Sequence, residues 1–203
     1  NIGAGRVVMQ SLTYIQSLID NKEFFNNPVL NALYDKTKYD NAKGHALHLM
    51  GVVSRGGVHS DLEHVFALLE LAKQKNISPV YIHVFTDGRD TAPDSGLGYV
   101  GELEQKISQL NHDIKIASVT GRYYAMDRDK RWERVKQAYD AVICGISVLT
   151  ATSGTDAIKA AYARGETDEF IKATIITENN KPVAEINDSD SVVFFNFRAD
   201  RAR

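Results

Sequence analysis

The chain has 203 residues, of which 43% are hydrophobic and 25% charged; these are globular proportions that exclude disorder, collagen and coiled coil as whole-chain descriptions. A net charge of −2 argues against a general nucleic-acid binder, whose domains carry a surplus of Lys and Arg. The lone Cys144 excludes an internal disulfide and a multi-cysteine zinc site and fits a reducing, cytoplasmic home.

The length is that of one large domain or two small ones, and no apolar run approaches the ~18 residues of a membrane span. The chain begins at Asn1 without a Met and stops inside an Arg-rich stretch, so it is expected to be part of something longer.

The apolar spacing of Val7, Val8, Leu12, Ile15, Leu18 and Ile19 predicts a helix over 6–20. Asn27-Pro28 predicts the cap and first turn of a second. Residues 45–53 (HALHLMGVV) read as a buried strand, and Ser60-Asp61-Leu62-Glu63 as a capping box opening a helix to about Lys75. Residues 80–86 (VYIHVFT) form a second strand, followed by a helix over about 98–110. Residues 115–120 form a third strand, followed by a helix over about 129–143. A helix over 155–164 stops at Gly165, a hairpin turns at Asn179-Asn180, and 191–197 (SVVFFNF) is a fourth apolar strand. Strands alternating with helices predict an α/β fold with a mostly parallel sheet and helices on both faces. Ligands of such sheets bind beyond the carboxyl ends of the strands.

Four segments follow those ends: 54–60, 86–96, 120–130 and 197–203. They hold seven of the eleven arginines (Arg55, Arg89, Arg122, Arg128, Arg198, Arg201, Arg203) but one of the thirteen lysines. Guanidinium presents a planar fork that matches carboxylate and phosphate oxygens, whereas ammonium is a point charge. Arginines converging on one crevice therefore point to a small, multiply charged anion. The bland alternative pairs them with neighbouring aspartates as surface ion pairs. In Asp87-Gly88-Arg89-Asp90, Asp87 reads as the holder of a turn with positive φ at Gly88, and Asp90 as a general acid or base. His59 stands just before a helix N-terminus, where it could donate to an anion.

Other features read as structural. His45 and His48 are expected on opposite strand faces, His83 in the core, and His64 and His112 exposed. Cys144 reads as buried filler. Residues 1–6 (NIGAGR) lack the preceding strand and the Lys-Ser/Thr of a phosphate loop. No nucleophile-elbow serine and no metal cluster stands out.

The stretches NIGAGRVV (1–8), GGVHS (56–60), DGRDTAPDSG (87–96), GRYYAMDRDKRW (121–132) and NFRADRAR (196–203) resemble, in order, the cofactor-independent (2,3-bisphosphoglycerate-independent) phosphoglycerate mutases. The resemblance implies a phosphotransferase domain over 13–197, with connectors beginning at 1–12 and 198–203. The partner in cis would be a phosphatase-like domain carrying two Mn2+ and a nucleophilic serine just before Asn1, with no cofactor in this chain. It implies interconversion of 3-phosphoglycerate and 2-phosphoglycerate through a phosphoserine, in a cytoplasmic and monomeric parent without nucleic-acid or membrane partners. The family's substrate contacts fall on His59, Arg89, Asp90, Arg122, Arg128, Arg198 and Arg201. Asp90 would be the catalytic proton carrier with Arg89 positioning it. Arg122 and Arg128 would grip a carboxylate, and Arg198 and Arg201 would face the phosphoryl group. The alternative is a non-catalytic regulatory module that binds a small anion.

Overall fold

The computed structural model describes residues 9–201 together with Gly3 and Gly5. Helices α1 (Ser11–Asp20) and α2 (Pro28–Asn41) precede β1 (Leu47–Val52) and α3 (Leu62–Lys75). Then follow β2 (Val80–Thr86), α4 (Gly96–Leu110), β3 (Ile114–Gly121), the single turn α5 (Arg122–Ala125) and α6 (Trp132–Ile143). The chain closes with β4 (Leu149–Ala151), α7 (Gly154–Ala163), β5 (Thr174–Glu178), β6 (Lys181–Pro182) and β7 (Ser191–Phe194).

The sheet order is β4-β5-β3-β2-β1-β7, with β6 on β5. β7, β1, β2 and β3 are mutually parallel, β3 and β5 are antiparallel, and β4 runs parallel to β5. The mostly parallel α/β expectation therefore holds, and the carboxyl ends of four strands lie along one edge. Strand alternation divides the core. Leu47, Leu49, Val80, Ile82 and Val84 meet α3, α4 and α7, with Ile15, Leu18 and Ile19 of α1 packed against that layer. Val52 and Phe85 pack with Met126 and Val142 of α6 on the other face.

Local signals explain most boundaries. Asn27 accepts hydrogen bonds from Val29 N and Leu30 N at 3.0 and 3.1 Å, and Pro28 fills the first helical position of α2. Asn179 and Asn180 turn the β5–β6 hairpin with φ of 51° and 61°. Gly165, at φ 78°, ends the helix that α7 begins.

Several expectations change. α1 starts at Ser11 rather than Arg6, and 6–8 lie outside the described residues. α3 is capped by Asp61, which accepts from Glu63 N at 2.9 Å, while the Ser60 hydroxyl donates instead to the Val52 carbonyl. α6 begins at Trp132, not Asp129, because the Asp127 carboxylate holds the amides of Asp129 and Arg131. His64 is buried, not exposed, against the edge of Phe197, and His112 is half-buried, bonded to the Ile77 carbonyl at 2.5 Å. Cys144 is partly exposed where α6 ends. His45 precedes β1 instead of lying on it, so His45 and His48 reach the same carboxylate, Asp190, at 3.7 and 3.4 Å.

His48, His83 and Ser118 form a buried row across three strands: His48 Nδ1 to His83 Nε2 is 3.0 Å and His83 Nδ1 to Ser118 Oγ is 2.9 Å. Burial drives the His83 pKa down to about 3, helped by His48. Burial also lowers that of His48, against the pull of Asp190. The unfolded chain then binds protons that the folded chain refuses. The stability contributed by His83 is complete above pH ~6.5 and is lost on acidification toward 3, at up to about 1.4 kcal/mol per pH unit. Urea unfolding at pH 7, 6, 5 and 4 should show this decline. His83→Gln should flatten the profile, and parallel profiles for the two proteins would contradict the assignment.

Candidate functional site

The strand-end loops are held together by a buried ion triad. Asp87, leaving β2, accepts from the N–H groups of Arg89 and Asp90 at 3.3 and 3.0 Å and from Ser54 Oγ at 2.8 Å. Burial opposes its ionisation, but the hydrogen bonds from Asp90 N–H, Ser54 and Arg122 outweigh it and hold the carboxyl below its usual range. Arg122, leaving β3 and only 2% exposed, places Nη1 2.6 Å from both Asp87 Oδ1 and Asp90 Oδ2. Burial alone would lower its pKa, yet the two carboxylates raise it, so the guanidinium is firmly charged.

Asp87 is thus the turn holder expected of it, with Gly88 at φ 66°. The arginine on Asp90 is Arg122 and not Arg89, whose Nη1 reaches Glu169 Oε1 at 3.4 Å. His59 lies beside Asp90, its Nε2 3.7 Å from Asp90 Oδ2, while its Nδ1 is 3.9 Å from Asp200 Oδ1. Burial first, and the charge of Arg122 second, lower the His59 pKa, so the ring is neutral at pH 7.

Beyond the triad opens a cavity of about 200 Å³ lined by five arginines: Arg89, Arg122, Arg128, Arg134 and Arg201. Tyr123, Phe170, Asp127, Asp129 and Glu169 complete its walls. Arg201 Nη1 donates to the Met126 carbonyl at 3.0 Å. Its pKa is lowered by burial and then by Arg122, Arg128 and Arg89, the signature of converging positive charge. Arg128 is half-exposed, 3.6 Å from Asp200 Oδ2.

Arg198 goes elsewhere. Residues 199–201 form a 3-10 turn that separates Arg198 from Arg201. Arg198 Nε pairs with Asp200 Oδ1 at 3.1 Å and lines a second hollow with Leu12, Gly57 and Val58. Arg55 follows the bland alternative, bridging Glu63 and Glu102 on the surface at 2.9 and 2.7 Å. Arg203 lies outside the described residues. Next to the arginine cavity a larger apolar hollow of about 740 Å³ is lined by Met50, Phe85, Trp132, Val135 and Phe194.

Three participants escaped the sequence reading. Arg134 sits in the first turns of α6, just past the segment taken as the third strand-end loop. Asp168 and Glu169 precede β5, which runs antiparallel to β3, so its entrance, not its exit, faces the site. Asp168 is fully buried and accepts from Gly96 N at 2.6 Å and Tyr162 Oη at 2.5 Å. Close approach of this segment requires glycine at 121. A Cβ there would stand 2.4 Å from the Glu169 carbonyl oxygen and 2.7 Å from Ile171 N.

The fold and site define an α/β domain whose parallel strand ends gather guanidinium groups around one small, positively charged cavity. The family model described as "BPG-independent PGAM N-terminus" matches residues 15–203, and the chain belongs to that family. It is similar to the 2,3-bisphosphoglycerate-independent phosphoglycerate mutase of Myxococcus xanthus, 53% identical over all of this chain and 39% of the relative. The enzyme of the same name from Hydrogenovibrio crunogenus is 52% identical over all of this chain and 38% of the relative. A Leishmania mexicana phosphoglycerate mutase, crystallised at low cobalt concentration, superimposes with a TM-score of 0.89 at 29% identity, over 98% of this chain and 37% of that one. The chain thus spans about two fifths of the length of these relatives.

Among the described residues, no group of three or more His, Cys, Asp or Glu side chains could hold a metal ion, and no helix is long and apolar enough to cross a membrane.

Two substitutions test the architecture. Asp87→Ala leaves the buried Arg122 charge with half its compensation and is expected to cost about 3–5 kcal/mol in urea unfolding. A loss under 1 kcal/mol would show that Asp90 alone suffices. Gly121→Ala forces backbone against backbone and should cost about 3 kcal/mol, at the upper end of overpacking penalties; an unchanged unfolding midpoint would contradict the contact.

Proposed function

We propose that this chain is the substrate-holding domain of a phosphoglycerate mutase that interconverts 3-phosphoglycerate and 2-phosphoglycerate. The observation that carries the proposal is the convergence of Arg89, Arg122, Arg128 and Arg201 on one cavity beside Asp90 and His59. The rest of the enzyme, reached through connectors at 1–12 and 198–203, would bring a serine nucleophile. Any metal ion would be held by residues outside this chain, and no step is derived through one.

The chemistry is a phosphoryl group leaving one glycerate hydroxyl for the serine and returning to the other. In the first half the serine hydroxyl loses its proton as its oxygen bonds phosphorus, the O3–P bond breaks, and O3 gains a proton. In the second, O2 loses its proton and attacks phosphorus, the serine oxygen–phosphorus bond breaks, and the serine oxygen regains a proton. Glycerate must stay bound between the two, and this task suits guanidinium forks that hold its carboxylate throughout. Arg128, half-exposed with one loose partner, is free to turn toward an incoming carboxylate.

Asp90 is the group that gives and takes the hydroxyl proton, because its partly exposed carboxylate is held by Arg122 at the edge of the cavity with His59 beside it. Arg122 holds it in place, and neutral His59 stands 3.7 Å from it. Arg201, which faces the cavity with Arg122 and Arg128 nearby, would spread the charge of the transferring phosphoryl group. Closure of a second domain over this edge would exclude water and protect the phosphoserine from hydrolysis. The parent is proposed to be a cytoplasmic monomer.

The isolated chain is expected to show no mutase turnover, while a protein extended to the relatives' full length turns over. Fragment turnover at the full-length rate would overturn the division of labour. In the full-length protein, Arg128→Ala should lower kcat/KM by on the order of 100-fold or more. Asp90→Asn should slow turnover by roughly 10²–10⁴-fold and let phosphoserine accumulate; normal turnover would remove Asp90 from the proton path. Calorimetry with 3-phosphoglycerate separates the alternative class. A half-site binds weakly, whereas a regulatory anion receptor would bind the ligand in the micromolar range, about −8 kcal/mol, without any second domain.

A further inference from the structure

Residues 127–131, which carry Arg128, join α5 to α6, and a single buried carboxylate organises them. Asp127, 2% exposed, accepts from the N–H groups of Asp129 at 3.1 Å and Arg131 at 2.9 Å through Oδ2. Its other oxygen, Oδ1, faces Arg134 Nη1 at 3.4 Å. Arg134 is itself held from the side, with its guanidinium carbon 4.0 Å from the centre of the Tyr123 ring. Tyr123 in turn packs on Tyr124 and Phe170, at ring separations of 5.2 and 5.0 Å. The loop turns back through Lys130 at φ 59°, a conformation that a residue with a Cβ keeps only when its surroundings enforce it.

We propose that Asp127 and Arg134 form a clasp that positions Arg128 at the anion cavity. Arg134, anchored on Tyr123, orients the Asp127 carboxylate. That carboxylate fixes the amides on the far side of Arg128, so the backbone that carries the Arg128 side chain is held beside the cavity. Both clasp residues line the same cavity as Arg128, and the three form one unit with it. Arg134 is a positioning residue: its part is to hold the backbone from which Arg128 reaches the cavity before any ligand arrives, which lowers the ordering cost of binding while the side chain stays free to turn. Lysine is a poor replacement, because it keeps the charge but loses the plane that stacks on Tyr123. The purpose given to the clasp rests on the phosphoglycerate proposal, whereas its geometry does not.

The test uses the whole 203-residue chain and two readouts. Amide hydrogen exchange at Asp129 and Arg131, followed by NMR without ligand, reports the clasp itself. Titration with 3-phosphoglycerate reports its service to binding. Arg134→Gln is expected to speed exchange at those two amides at least 10-fold while amides of the central strands keep their rates, and to weaken binding about 10-fold. Arg134→Lys should recover part of both effects. If Arg134→Gln fails to fold, Tyr123→Leu, which removes only the stacking ring, should move the same two amides. Unchanged exchange overturns the clasp, and faster exchange with unchanged affinity overturns its positioning of Arg128. Absence of 3-phosphoglycerate binding by the unsubstituted chain overturns the phosphoglycerate proposal instead, and the exchange rates then decide the clasp alone.

Discussion

The site depends on one guanidinium that has almost no access to water. Arg122, at the end of β3, sits between Asp87 and Asp90 from the end of β2, with Nη1 2.6 Å from each. A buried charge of this kind is tolerable only with its partners in place, and loss of one partner typically costs several kcal/mol. The triad therefore ties two neighbouring strand ends into one rigid unit. It also sets the direction of Asp90, which keeps one side toward solvent while its Oδ2 is held by Arg122. Asp87 gives up any freedom to act chemically, since Ser54, Arg122 and two backbone amides occupy both of its oxygens.

The arginines that surround this unit are less constrained. Arg89 and Arg128 are about half-exposed and each has one long contact to a carboxylate, Glu169 and Asp200 respectively. Exposed pairs of that kind contribute little and exchange easily for a better anion. The fold thus separates two duties that the same residue type could perform. A buried arginine fixes the architecture, and mobile arginines remain available to a ligand. Asp200 stands where the strand-end segments meet, near His59, Arg128 and Arg198 together, and so balances charge at the mouth of the site.

Much of this was legible in the sequence, for identifiable physical reasons. The parallel core was visible because strands buried on both faces are continuously apolar, and the site edge followed from the rule about strand ends. Segregation of arginine from lysine marked the cavity, and Asn27-Pro28, Gly165 and Asn179-Asn180 marked their turns through local chemistry. What stayed hidden was long-range pairing. Sequence adjacency linked Arg89 to Asp90, but the chain reverses at Gly88 and a guanidinium from the next strand takes that place. The antiparallel entry of β5 could not be read from its composition, so Asp168 and Glu169 went unnoticed. The resemblance puts Arg198 and Arg201 together at the phosphoryl group, whereas the 3-10 turn between them sends them into different hollows. His64 looked exposed because its helix is amphipathic, yet Phe197 covers it.

Membership of the BPG-independent mutase family gives the cavity its context, and the chain spans about two fifths of the length of its relatives. On the proposed function it is the guanidinium groups of this cavity that respond to phosphoglycerate, Arg134 through its hold on the Arg128 loop. The most direct measurement is NMR of the arginine side-chain nitrogens, labelled with 15N, during titration with 3-phosphoglycerate. Saturable shifts confined to Arg89, Arg122, Arg128, Arg134 and Arg201, with Arg55 and Arg164 unmoved, are the predicted result. Shifts centred on Arg55 and Arg164, or none at millimolar ligand, would contradict it.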